Sequence, residues 1–199
     1  MELGLFTCGY QYESIEAAFA DAAAFGYDFI ELWGGRPHAW APDMTAERAA
    51  HLRELSERYN VPIRIYTPEH NGYPYNYMLG DEAQWEDCMR YLTRSMEAAA
   101  QIGASHTLIS VGHGGHTEPQ YRHDRLMRSL RRLAEEARSA GQTILLEPLS
   151  PFESNTCTTS AEIAAVLSEL NDPTVCTMCD MVASYVQDET AAEFYQCTG

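Results

Sequence analysis

The sequence predicts an α/β fold of the (β/α)8 TIM-barrel type, incomplete, with about six of eight βα units present in 199 residues. Two observations predict it. Short β-rich apolar runs alternate with helical stretches whose apolar residues recur at spacings of three and four. Polar and aromatic residues gather after the C-terminal end of each strand, where barrel active sites are assembled.

The elements follow in order. The first strand spans about residues 3–7, and its helix carries Ile15, Phe19 and Ala22. The second spans about 29–32, with Leu52, Leu55 and Tyr59 on the next helix. The third spans 63–66 and precedes Trp85, Met89, Leu92, Met96 and Ala99, at steps of four, three, four and three. The fourth spans 107–111, before Leu126, Leu130, Leu133 and Ala137. The fifth spans 143–147, before Ile163, Val166, Leu167 and Leu170. The sixth spans 175–181, before a short helix near 190–196. Gly26, Gly103 and Gly141 close helices one, three and four, while Asn60 and Asn171 close two and five. These residues adopt a left-handed C-cap at least cost. Thr159-x-x-Glu162 reads as a capping box.

Two architectures suit this alternation, an open doubly wound sheet and a closed barrel. A dinucleotide-binding sheet would carry a glycine-rich fingerprint after its first strand, and Thr7-Cys8-Gly9-Tyr10-Gln11 has none. Six units in 199 residues is about 33 per unit, so eight would need roughly 265, near the ~250 of a usual barrel. The chain therefore reads as a single domain, 1–199, either an open six-stranded sheet or a partial barrel holding units one to six.

Thirteen Lys+Arg against 29 Asp+Glu give a net charge of −16. That surface repels nucleic-acid backbones and anionic membranes. No apolar run approaches the ~18 residues of a membrane span, and the first residues lack a basic signal-peptide start. A cytoplasmic location is expected, with the six cysteines as free, buried thiols.

Candidate chemistry lies at the strand ends. Leu145-Leu146-Glu147-Pro148 closes an apolar run with a carboxylate, and Thr177-Met178-Cys179-Asp180 does so on the neighbouring strand. Two such carboxylates repel unless a cation or a shared proton relieves them, and an oxygen-rich pair suits Mg²⁺ or Mn²⁺. Cys176-x-x-Cys179 lies within the predicted strand without a second such pair, so it reads as structural. His113 follows strand four beside two glycines and is placed at the rim of the site; His116 reads as solvent-exposed. Trp33, Trp40, Tyr66 and Tyr73 offer aromatic walls for a sugar. Glu31 and Glu153 are candidates for binding hydroxyls, with a solvated or salt-bridged acid as the alternative.

Several runs resemble a known family. They are Leu5-Phe6-Thr7-Cys8-Gly9, Ile30-Glu31-Leu32-Trp33-Gly34-Gly35-Arg36-Pro37-His38-Ala39 and Tyr66-Thr67-Pro68-Glu69 with Asn71-Gly72-Tyr73-Pro74-Tyr75-Asn76. Met78-Leu79-Gly80-Asp81, Leu146-Glu147-Pro148-Leu149 with Glu153-Ser154-Asn155, and Tyr185-Val186-Gln187 join them. Together they resemble the fructoselysine 3-epimerase branch of the xylose-isomerase-like barrels, over nearly the whole chain. The resemblance implies a sugar epimerase using a divalent metal (Mn²⁺, Mg²⁺, Co²⁺ or Ni²⁺) held by Glu, Asp, His and Glu from strands five to eight. Glu147 matches the first ligand and is also implied as an acid/base group; Asp180 matches the second. Glu153 matches a substrate-binding acid, and His113, Trp33 and Tyr66 are taken as substrate-binding beside it. Ala183 stands where some sugar 3-epimerases place a histidine, so free-ketose specificity is not implied.

The remaining ligands would lie in units seven and eight. The 199-residue chain is therefore expected to be truncated and nearly inactive alone, and to self-associate, as a homo-oligomer, over its unclosed sheet edges. The alternatives are another aldose–ketose or sugar-phosphate isomerase and a non-catalytic fragment. A DNA-repair endonuclease of this barrel type would need a basic groove, which the charge argues against.

Overall fold

Strand order separates the two architectures. The computed structural model describes residues 1–70, 72 and 74–199. Its six strands are β1 (Gly4–Phe6), β2 (Phe29–Gly34), β3 (Ile63–Pro68), β4 (His106–Ser110), β5 (Thr143–Glu147) and β6 (Val175–Thr177). They lie in one sheet in chain order, β1 through β6. A doubly wound sheet reverses its order at a switch point; this one has no reversal, as in a barrel wall. The helices are α1 (Ile15–Phe25), α2 (Ala46–Tyr59), α3 (Glu82–Gln101), α4 (Pro119–Ala140), α5 (Ser160–Leu170), α6 (Met181–Val186) and α7 (Ala191–Thr198).

The chain divides into two compact units. The first holds residues 1–69, 91–108 and 139–142, and the second holds 70–90, 109–138 and 143–199. In the first unit β1, β2 and β3 pair in parallel, with Leu5 beside Ile30 and Leu32 beside Tyr66. Successive residues of β2 alternate between half-buried and buried, so Ile30, Leu32 and Gly34 share one face and Glu31 and Trp33 the other. Phe19, Leu52 and Leu55 are fully or almost fully buried, as their helical spacing required. In the second unit β5 pairs with β6, Leu146 beside Thr177. Leu126, Leu130, Leu133, Ile144, Leu146 and Ile163 form its apolar interior. A fully buried Leu or Ile side chain contributes about 1.5–3 kcal/mol relative to exposure.

Helix ends follow the sequence signals. Ser14 and Thr45 cap α1 and α2, and Thr159 with Glu162 forms the reciprocal box at α5. Gly26, Asn60 and Asn171 take the left-handed conformation at the C-termini of α1, α2 and α5, with φ of 76°, 53° and 48°. One cap was not foreseen. Asp81 Oδ1 accepts from the Gln84 N–H at 3.0 Å while Gln84 Oε1 accepts from the Asp81 N–H at 2.9 Å.

The structure corrects four expectations. β2 and β3 each run two residues further than expected, which puts Glu31 inside β2 rather than at its end. β6 stops at Thr177, because Asp180 turns the chain into the unforeseen α6 by accepting the N–H groups of Val182 (2.7 Å) and Ala183 (3.3 Å). Aspartate is among the strongest N-caps, and the cap outcompetes continued strand. Cys179 consequently lies beyond the strand. All six cysteines are free, but only Cys88 and Cys157 are buried; Cys176, on the short β6, and Cys197 are exposed.

Every cationic side chain apart from histidine is an arginine, because the sequence contains no lysine. The ion pairs include Arg36–Asp43, Arg58–Glu54, Arg64–Glu2 and Arg138–Asp172, and they lie at the surface. Such pairs contribute little individually. No helix among the described residues is long and apolar enough to cross a membrane.

Replacing Thr159 by Ala removes the α5 cap and half of its reciprocal box. It is expected to cost about 1 kcal/mol, read as a lower urea midpoint at unchanged slope.

Candidate active site

Two groups of strand-end residues carry the candidate chemistry, one in each unit. In the first unit the side chains stand on β2 and β3. The Glu31 carboxylate accepts a hydrogen bond from Thr67 Oγ1 at 2.7 Å. Burial raises its pKa above the ordinary carboxylate value, and the Thr67 hydroxyl partly offsets this. Burial, with the nearby Glu31 and Glu69 charges, pushes the Cys8 thiol up. Trp33 donates its indole Nε1–H to Glu69 Oε2 at 2.8 Å, and its backbone N–H goes to Thr7 Oγ1 at 2.9 Å.

The glycines after Trp33 have a steric explanation. A Cβ on Gly35 would lie 2.2 Å from the Trp33 ring, and one on Gly34 would lie 2.6 Å from the Tyr66 hydroxyl oxygen. Both aromatic rings therefore need a bare backbone to lie against. Tyr66 is fully buried, and its hydroxyl donates to Ala39 O at 2.6 Å. Its expected contact with substrate does not hold: it presents no surface to a ligand and instead supports the turn after β2. Trp33 is half-buried. Trp40 packs its ring 5.0 Å from that of Tyr91, while Tyr73 lies outside the described residues.

In the second unit the strand ends of β4, β5 and β6 bring Ser110, Glu147 and Asp180 into play. Glu147 is the last residue of β5 and is half-buried. Its Oε2 accepts from Ser110 Oγ at 2.9 Å, and its backbone carbonyl accepts the Val111 N–H at 3.1 Å. Asp180 follows β6 by three residues and uses Oδ1 to cap α6. Glu153 bonds locally, accepting from the Ser150 hydroxyl at 2.7 Å. His113 Nδ1 accepts the Gly115 N–H at 2.9 Å, so in the neutral ring Nε2 carries the proton. His113 and Glu153 both line a cavity of about 720 Å³, with Asn76, Gln84 and Asp87 among its other polar residues. His116 is exposed, as expected.

The loops are tied down by side chains that the sequence reading passed over. Asn76 Nδ2 donates to His113 O at 2.9 Å. Asn155 accepts the Gly114 N–H at 2.9 Å and donates to Gly115 O at 2.7 Å. Tyr77, fully buried, donates to Ser110 O at 2.8 Å. His70 accepts the Ser110 N–H through Nε2 at 3.0 Å. An amide can only donate, so His70 carries its proton on Nδ1, which is buried and has no partner among the described residues. Ser110 was legible in one respect. It closes the apolar run Thr107-Leu108-Ile109 with a polar residue, as Glu147 closes β5.

Glu147 and Asp180 are oxygen donors, each carboxylate with roughly four lone-pair sites. The pair suits a hard divalent cation such as Mg²⁺ or Mn²⁺. Among the described residues no group of three or more His, Cys, Asp or Glu is arranged to hold a metal.

Residues 19–195 match the model of the family described as xylose isomerase-like TIM barrel. The chain belongs to that family. Fructoselysine 3-epimerase of Escherichia coli O157:H7 is 42% identical over 200 residues, covering all of this chain and 73% of the relative. The enzyme of the same name from Shigella flexneri is also 42% identical, over all of this chain and 72% of its own. The fold recurs in D-psicose 3-epimerase of Clostridium cellulolyticum H10 (TM-score 0.86, 14% identity), matched over all of this chain and 70% of that one. It recurs in 3-keto-D-glucoside 4-epimerase of E. coli (TM-score 0.82, 17% identity), over 98% of this chain and 74% of that one. The two curated relatives are named as epimerases, which are isomerase-class enzymes.

Burial depresses His70 from its ordinary 6.5 to about 4. The folded chain keeps it neutral, whereas the unfolded chain binds a proton below about pH 6.5. The stability held by this group is complete above about pH 6.5 and is lost as pH falls toward 4, by up to about 3 kcal/mol. Denaturant midpoints across that window are expected to fall steeply, and His70→Gln is expected to flatten the slope.

Proposed function

We propose that residues 1–199 carry the sugar-binding face of a divalent-metal-dependent epimerase that inverts the carbon beside the carbonyl of a ketoamine or ketose. Fructoselysine is the first substrate to try. The reading rests on the Glu147 carboxylate, held by Ser110 at the end of β5, in a chain 42% identical to fructoselysine 3-epimerase.

The residues present suggest how the work is divided. Glu147 and Asp180 would hold the metal, one of Mn²⁺, Mg²⁺, Co²⁺ or Ni²⁺. When bound, it would withdraw electron density from the substrate carbonyl and make the neighbouring proton easier to remove. Glu147 would remove that proton on one face of the sugar, as general base. Inversion needs a second acid on the opposite face. Trp33 would offer an aromatic surface to the sugar ring. His113, through Nε2–H, and Glu153 would bind hydroxyls in the cavity they share. The free cysteines fit a cytoplasmic protein.

Residues 1–199 supply two of the four ligands that the resemblance implies. The position of an isotope label is the informative readout. Long incubation with fructoselysine and Mn²⁺ in heavy water is expected to place deuterium at C3. Deuterium at C1 or C2 instead would replace the epimerase by an aldose–ketose type of isomerase. Glu147→Gln is expected to abolish labelling and to weaken Mn²⁺ binding at least about tenfold in calorimetry.

Self-association belongs to the same reading. Met181, Val182 and Tyr185 on α6 are 61%, 68% and 81% exposed, and Phe152 is 86% exposed. Apolar residues this open favour burial against another surface. Light scattering is expected to give a mass above the 22.3 kDa of one chain.

A further inference from the structure

The geometry points to Ser110 as the positioning residue for Glu147. The inference rests on the proposed role of Glu147 as metal ligand and proton carrier, and it assigns a task to a residue outside that set.

Ser110 has three polar groups, and each is engaged. Its N–H donates to His70 Nε2 at 3.0 Å, and its carbonyl accepts from the Tyr77 hydroxyl at 2.8 Å. The backbone at the end of β4 is thereby held from two sides by buried side chains. His70 is 4% exposed, Tyr77 fully buried and Ser110 itself 8% exposed. The hydroxyl is the remaining group, and it donates to Glu147 Oε2 at 2.9 Å.

The next residue completes the grip. Val111 donates its N–H to the carbonyl of Glu147 at 3.1 Å. Two consecutive residues therefore hold one residue at both ends, Val111 by the main chain and Ser110 by the carboxylate. A glutamate has several free torsions, and fixing them costs conformational entropy. A carboxylate that must ligate a cation and meet a substrate proton gains when that cost is met before the ligand arrives. A hydroxyl does this without adding charge. It fixes the direction of one carboxylate oxygen. His70, neutral through burial, and Tyr77 support the same serine without bringing charge to it.

The test is Mn²⁺ titration into the 199-residue chain, with four single variants. Ser110→Ala is expected to lower Mn²⁺ affinity about tenfold, the lower end of what losing such a support costs. Ser110→Thr, which keeps the hydroxyl, is expected to restore most of it. Ser129→Ala deletes another buried hydroxyl of this unit, on α4, which accepts from the Trp85 Nε1–H of α3. It is expected to lower thermal stability and leave Mn²⁺ affinity unchanged. Glu147→Gln separates the two levels of the argument. If the parent chain binds no Mn²⁺, or Glu147→Gln binds it as well as the parent, the role of Glu147 falls and the inference with it. If Glu147→Gln loses binding while Ser110→Ala keeps it, the inference about Ser110 alone is overturned. An equal loss in Ser129→Ala, or no recovery in Ser110→Thr, overturns it too, by showing that the effect is general loosening.

Discussion

A parallel strand buried among apolar side chains leaves a polar residue one place to go, its end. The main chain satisfies its own donors and acceptors by pairing with its neighbours, and an unpaired polar side chain among them would cost free energy. In β5, Ile144 and Leu146 are fully buried, and the first carboxylate appears at residue 147. In β4, Leu108 and Ile109 are buried before Ser110 closes the strand. Chemistry collects at these ends because there the ladder stops and side chains must find partners for themselves. β2 shows the other solution. Glu31 stands within the strand, on the half-buried face, and it needs Thr67 beside it.

Tyrosine performs a repeated mechanical task. Tyr66 reaches Ala39 O, Tyr77 reaches Ser110 O, and Tyr91 reaches Glu69 O. Each carries a rigid apolar ring through the interior and ends in a donor that meets a main-chain carbonyl at a strand end or in a loop. This is the amphipathic design of the side chain. It gives these three tyrosines a structural task that requires no contact with a ligand.

That distinction also marks where sequence reading succeeds. Helix periodicity, the Thr159–Glu162 box and the left-handed Asn60 and Asn171 are local signals, each decided by residues within a few positions. They were legible, and so was the carboxylate at the end of β5, since an apolar run must end before it. Tyr66 was misjudged because its partner, Ala39, lies 27 residues away, and nothing in Tyr66-Thr67-Pro68 shows whether the ring turns inward. Ser110 was missed for a similar reason: a serine gains meaning only from the carboxylate 37 positions later. The end of β6 turned on competition. A strand pattern and an N-cap both claimed residues 178–180, and the aspartate's two backbone bonds prevailed.

The arginine-only surface has a chemical consequence. Reducing sugars condense with primary amines, and the side-chain amine of proteins is lysine's. A guanidinium stays protonated at any physiological pH and is a far poorer nucleophile toward an open-chain sugar. With 29 acids matched only by arginines, the chain keeps its ion pairs while presenting no lysine for a sugar to modify. A protein proposed to handle the adduct of a sugar and an amine thus has no side chain that can become that adduct. Prolonged contact with free sugar would leave its side chains without the sugar–amine adduct that it is proposed to handle.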